Sequence, residues 1–218
     1  MSNENTSMSQ LFDTFQKSLD AHHDKRERLI KSVRTTLGGK DMEDAIAKQQ
    51  DILALIRKVS NELNGPDYYR YIKSVSPGLE EFIEAAAFLE FIKNGSLLTP
   101  DKLQTQFAVA EIAETFFITD SDYLNGIGDL TGELMRYAIN KIGAGEPESA
   151  ILVCHFMQQI HEEFEVINAI SPSAVSKKLQ VMKASLTKVE QACYSCQIRK
   201  VEQSANSILP QKRVALSP

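Results

Sequence analysis

The chain has 218 residues, 43% of them hydrophobic and 24% charged, which is enough apolar material for one large domain with its own core and excludes wholesale disorder. A net charge of −5 excludes a protein that grips nucleic acid by bulk electrostatics, so any phosphate contact must come from local basic islands. Apolar runs such as Ala85 to Leu89 are far too short to span a bilayer, and the polar stretch from Met1 to Gln10 lacks the apolar core of a secretory signal. These features predict a protein of the cytoplasm and nucleus with no membrane partner.

The expected organisation is a flexible tail at 1–9, a single helical domain at 10–204, and a second flexible tail at 205–218. The first helix spans 10–37, with Phe12, Phe15, Leu19, Leu29, Ile30, Val33 and Leu37 at three- and four-residue steps, and Gly38-Gly39 closes it. A second helix occupies 41–64, carrying Ile46, Ile52, Leu53, Leu55, Ile56, Val59 and Leu63, and Gly65-Pro66-Asp67 breaks it. A short aromatic helix over Tyr68-Tyr69-Arg70-Tyr71 follows, stopped at Ser76-Pro77-Gly78. The next helix runs from 79 to 93 and closes at Asn94-Gly95.

Thr99-Pro100-Asp101 combines a hydroxyl cap, a first-turn proline and an acid at the positive helix end, opening a helix that extends toward Phe117. Ser121-Asp122 opens another, which ends at Gly143-Ala144-Gly145. Residues 147–168 form the next, with Ile151, Leu152, Phe156, Ile160, Phe164 and Ile167 as its core face. Ser171-Pro172-Ser173 then caps a last long helix whose Val175, Leu179, Met182, Leu186, Val189 and Cys193 make a seam for packing along a neighbour. No segment shows the two-residue alternation of a sheet. The fold class is therefore all-α, an elongated bundle of about seven helices.

Chemistry concentrates in two acid pairs. Glu81 and Glu84 stand at i,i+3 in an otherwise apolar helix, and Asp129 and Glu133 at i,i+4, so each pair shares a helix face. Should the two faces meet, hard carboxylate oxygens converge that suit Mg²⁺ or Mn²⁺. Pairs at such spacings are also commonly solvated or ion-paired. Arg136 fits an internal salt bridge to Glu133 or Asp129 as well as a substrate contact. Gly128 and Gly132 cost helix propensity and allow another backbone or a ligand to come close. Lys25, Arg28, Lys177 and Lys178 are candidate nucleic-acid contacts, weighed against ordinary solvated, ion-paired helix faces. Three cysteines form no disulfide framework, and Cys193-Tyr194-Ser195-Cys196 lies in a helical pattern without a second pair of metal ligands. His155 and His161 lack metalloprotease spacing. No phosphate-cradling glycine loop, nucleophile elbow or Glu-x-x-His pairing for a di-iron bundle supports another chemistry.

At Gly128-Asp129-Leu130-Thr131-Gly132-Glu133-Leu134-Met135-Arg136, with Asp122-Tyr123-Leu124 before it, the sequence resembles the translin family, on its translin-associated side. Leu19-Asp20-Ala21-His22-His23-Asp24-Lys25-Arg26-Glu27-Arg28-Leu29, Phe91-Ile92-Lys93, Val175-Ser176-Lys177-Lys178-Leu179 and Lys188-Val189-Glu190-Gln191-Ala192-Cys193-Tyr194 agree in the same order. The resemblance covers about residues 11–200. It implies a translin-like all-α subunit that joins translin in a closed hetero-oligomer, commonly an octamer. It also implies Mg²⁺-dependent endoribonuclease activity on single-stranded or nicked RNA, with single-stranded DNA as a second ligand. The implied roles are small interfering RNA passenger-strand removal and tRNA fragment processing. The family's catalytic and metal-holding acids fall on Glu81, Glu84, Asp129 and Glu133, all acidic here. The loop before Asp122 and the segment before Asp41 are shorter than in animal members. A non-catalytic partner that stabilises translin and its nucleic-acid cavity is the alternative.

Overall fold

The computed structural model describes residues 39–62, 66–112, 114 and 116–208, together with Lys17. Among the described residues there are six helices and no strand: α1 (Gly39–Glu62), α2 (Pro66–Asn94), α3 (Pro100–Val109), α4 (Asp120–Gly143), α5 (Pro147–Ile170) and α6 (Pro172–Ile208). The helix expected over 10–37, with Lys25 and Arg28, lies outside the described residues, apart from helical Lys17.

α4 is central and packs against α2, α5 and α6, while α5 and α6 pack on each other and α1 touches α2. Contacts from Glu80–Asn125 to Phe88–Tyr137 advance together along both chains, so α2 and α4 run parallel. The pairs Gln158–Glu190 and Glu148–Lys200 advance in opposite directions, so α5 and α6 are antiparallel. Leu130, Leu134 and Ala138 are fully buried at the middle of this assembly, and Tyr137 is nearly so. These are the positions that a 3.6-residue period assigns to the core face of α4. α4 starts with a capping box: Thr119 Oγ1 accepts from Asp122 N–H at 3.1 Å, and Asp122 Oδ2 accepts from Thr119 N–H at 3.2 Å.

Four boundaries and faces differ from the sequence reading. Pro77 does not stop a helix, because α2 is continuous from Pro66 to Asn94 with Pro77 inside it. An interior proline costs about 3 kcal/mol. Tyr68 before it and Leu79, Phe82 and Ile83 after it are all buried in one core, and burying each large apolar side chain returns about 1.5–3 kcal/mol. α3 ends at Val109 rather than near Phe117. Glu111 adopts a left-handed conformation (φ 54°), with Glu111 N–H bonded to Ala108 O at 3.1 Å and Ile112 N–H to Phe107 O at 3.1 Å. This is a Schellman closure with Glu in the usual glycine place, and Ile112 and Phe107 are both buried beside it. On α5 the buried stripe is Ala150, Val153, Cys154, Met157, Ile160 and Phe164, leaving Leu152 68% exposed. Finally, α6 continues to Ile208.

Close packing around α4 depends on glycine. A Cβ at Gly126 would stand 2.7 Å from Ile83 Cβ and 2.8 Å from the Glu80 carbonyl oxygen of α2, whereas one at Gly132 would meet nothing within 4 Å. Gly126→Ala is therefore expected to destabilise by about 1–3 kcal/mol through forced separation of the helices. Gly132→Ala is expected to be neutral or stabilising by up to about 1 kcal/mol. Denaturant midpoints of the two variants decide it; equal shifts would mean that α2 does not bear on Gly126.

Candidate acid site on the central helix

The four candidate acids lie on α2 and α4, the two parallel helices, but in unequal surroundings. Glu84 and Glu133 are each only 3% exposed and Glu81 is partly buried. The Asp129 side chain is 42% exposed. Glu133 Oε1 accepts from Arg136 Nη1 at 2.7 Å, which realises the internal salt bridge one turn along α4. Asp129 accepts from Lys178 of α6 through both carboxylate oxygens, at 2.7 and 2.6 Å. Asp129 and Glu133 thus each carry a cation. No three acid, His or Cys side chains among the described residues are grouped so as to hold a metal ion, so the acids do not converge into a ready-made cage.

The glycines on this helix act differently from one another. A Cβ at Gly128 would stand 3.1 Å from Lys178 Cβ and 3.2 Å from its Cγ and Cδ. It is therefore the stem of Lys178, rather than a backbone or a ligand, that comes close to Gly128. The space beside Gly132 is open. Lys177 is exposed, whereas Lys178 is turned inward to Asp129.

Two site residues escaped the sequence reading. Glu80 of α2 accepts from Asn125 Nδ2 of α4 at 2.9 Å. Its carboxyl pKa is raised above the ordinary 4.5, first by burial and further by the negative charges of Asp129 and Asp122; the Asn125 bond and the Lys178 charge pull the other way. Glu80 precedes Glu84 by one turn and Asn125 precedes Asp129 by one turn, so extending each acid stripe backward would have found them. Glu80, Asn125, Asp129 and Lys178 together tie α2, α4 and α6.

The donor set suits a hard divalent cation in chemistry, if not as a closed cage. Mg²⁺ asks for one or two carboxylates and keeps several waters. Asp129, half-exposed and with open space near Gly132 one turn along, meets that demand. Two surface grooves lie elsewhere: about 530 Å³ beside Leu53, Arg57 and Val109, and about 400 Å³ beside Phe91, Phe156 and His155. The four acids line neither. Cys193 of the Cys193–Cys196 pair packs against Cys154, and burial pushes the Cys154 thiol up to about 11, which keeps it protonated and unreactive.

The Translin family model matches residues 13–200. Translin-associated protein X of Mus musculus is 36% identical over 86% of this chain and 78% of its own length, and that of Pongo abelii is 35% identical over the same shares. Translin of Gallus gallus is 24% identical over 91% of this chain and 96% of its own. Among solved structures, apo-NeC3PO superposes with a TM-score of 0.61 at 19% identity, covering 89% of this chain and 97% of that one. AfC3PO superposes with a TM-score of 0.52 at 21% identity, covering 87% of this chain and 98% of that one.

The strained ionisation of Glu80 gives a test of the tie. Its folded pKa lies above the unfolded value near 4.5. As pH rises past that value the unfolded chain releases the proton first, so the fold loses stability until Glu80 ionises within it as well. Glu80→Gln keeps an acceptor for Asn125 and removes the penalty. Its Tm should exceed that of the native protein at pH 7, and the gap should close as pH falls below about 4.5. A gap independent of pH between 4 and 8 would show that Glu80 ionises without cost.

Proposed function

This chain belongs to the translin family, and on that premise we propose that it is the metal-dependent endoribonuclease subunit of a translin hetero-oligomer, cutting single-stranded or nicked RNA. The observation that supports it most directly is Asp129, a half-exposed carboxylate on the central helix with open space beside Gly132 one turn along. A pure nucleic-acid scaffold gains nothing from a carboxylate turned toward a phosphate backbone. A structural neighbour of the same fold, AfC3PO, occurs in a complex with duplex RNA, which is compatible with a polynucleotide ligand.

In this reading Asp129, together with Glu81, Glu84 and Glu133, would hold Mg²⁺ or Mn²⁺ directly or through waters. The bound ion supplies an activated water and neutralises charge on the phosphoryl and leaving oxygens. Everything else is done by the protein. The Gly126 and Gly128 contacts with α2 and α6 fix the position of Asp129. The Arg136 bond gives the buried Glu133 carboxylate a partner and holds it in place. Exposed Lys177 offers a contact to the RNA backbone, as Lys25 and Arg28 of the first helix do in the sequence reading. Binding should consequently weaken with salt and depend little on base sequence. Single-stranded DNA would compete for the same backbone contacts.

A second reading rests on a specific observation: both α4 acids are already neutralised by internal cations, as suits a structural partner that only shapes translin's cavity. One cleavage assay separates the two. Labelled single-stranded RNA is incubated with the chain and its translin partner, in Mg²⁺ or EDTA, with native protein or Asp129→Asn. Loss of the principal carboxylate is expected to slow metal-dependent cutting by about a hundredfold or more, the scale seen when a main transition-state stabiliser is removed. Equal cutting by both proteins would leave this chain a scaffold.

A further inference from the structure

Lys178 is an unusual counter-ion. Its ammonium bonds both oxygens of one carboxylate, at 2.7 and 2.6 Å, whereas exposed lysines commonly hold a single oxygen in shifting geometries. Its stem crosses α4 where Gly128 leaves no side chain in the way, passing 3.1–3.2 Å from the missing Cβ. Only 26% of the side chain is exposed, so few rotamers are open to it while it stays docked. Its charge also acts on Glu80 of α2. The ammonium therefore sits where a cation serving Asp129 would sit, on a flexible stem free to withdraw toward solvent.

Resting on the metal-dependent reading above, we propose that Lys178 is a tethered counter-cation for Asp129, and that a divalent ion binds at Asp129 only by displacing the Lys178 ammonium. Lys178 is then a positioning residue. In the metal-free protein it holds Asp129 in place and removes the cost of leaving Asp129 and Glu80 facing each other as bare like charges. Affinity for the metal is set by the exchange, because the ion must outbid a +1 charge already bonded to both oxygens. Taking that charge away leaves the carboxylates with no internal competitor. The divalent ion should then bind more tightly even as the metal-free fold becomes less stable.

Mn²⁺ is the probe, with its binding followed by electron paramagnetic resonance on the full chain in complex with its translin partner. Lys178→Met removes the charge and keeps most of the stem. Lys178→Arg keeps the charge, and a double variant with Asp129→Asn removes the carboxylate. Lys178→Met should bind Mn²⁺ about tenfold more tightly than native protein, the scale of one nearby unit charge at a partly screened site. Lys178→Arg should remain close to native, and the double variant should lose the gain. Thermal unfolding adds a readout independent of cleavage. Lys178→Met should melt below native protein without metal and recover with Mn²⁺ by more than native protein does, whereas a lysine with a merely structural role would give a lower Tm that metal does not restore. Equal Mn²⁺ affinity in Lys178→Met and native protein would overturn the exchange and leave the nuclease reading standing. Absence of Mn²⁺ binding at millimolar concentration in every variant would overturn the metal site itself, and the exchange with it.

Discussion

The packing of α2 and α6 in the middle of the described bundle depends on how closely α4 can be approached. Gly126 faces α2 and Gly128 faces α6, and at both positions a single added carbon would collide or crowd. Two residues apart on an α-helix is a rotation of about 200°, so the two contacts fall on nearly opposite sides of the same turn. α4 is therefore gripped from both sides at one level. Asn125 and Asp129 flank that level, and their partners, Glu80 and Lys178, come from the two gripping helices. The tightest packing and the polar tie thus coincide, so the position of Asp129 is fixed by neighbours on both sides.

Such a scaffold must also solve the problem of acids in a helical core. Glu84 and Glu133 lie at 3% exposure, where an unpaired carboxylate would cost several kcal/mol. Glu133 is compensated locally, by an Arg136 whose side chain is half in solvent, so the pair sits at the rim of the buried region. Glu80 is compensated less completely, as its upward-shifted pKa records. The gradient runs from well-paired Glu133 and Asp129 to strained Glu80, and the strain lies on the α2 side.

The helical architecture was legible because burial along α4 and α6 follows the 3.6-residue period closely: Leu130, Leu134 and Ala138 on one, Val175, Met182 and Val189 on the other. The same logic erred at Leu152, where apolar residues run consecutively from Ala150 to Cys154 and periodicity cannot tell Leu152 from its neighbour Val153. Pro77 misled for a different reason. A local stop signal worth about 3 kcal/mol was outweighed by tertiary burial on both sides of it. The end of α3 was hidden because Glu111 holds a conformation that sequence reading reserves for Gly or Asn. Within the site, spacing was enough to single out the acids but not their partners. Arg136 is three residues from Glu133 and so could be paired in advance. Lys178 is 49 residues from Asp129, a separation at which only packing decides.

That long-range partner changes what the acid face means. The sequence casts Lys178 as a backbone contact for nucleic acid, and the structure casts it as the counter-ion of a carboxylate. The two roles conflict only if the side chain is static. While it is docked on Asp129 its positive charge is consumed, and the face offers a phosphate little beyond exposed Lys177. If a divalent ion took its place, as proposed, the ammonium would be released but stay tethered within a side-chain length of the same carboxylate. The local charge would then rise by the two units of the incoming ion while the lysine's own charge was retained. The acid face, repulsive to a polynucleotide on its own, would become attractive at the moment the ion was present. Metal binding and RNA binding would then reinforce each other through a single lysine, with no movement of the helices that hold it.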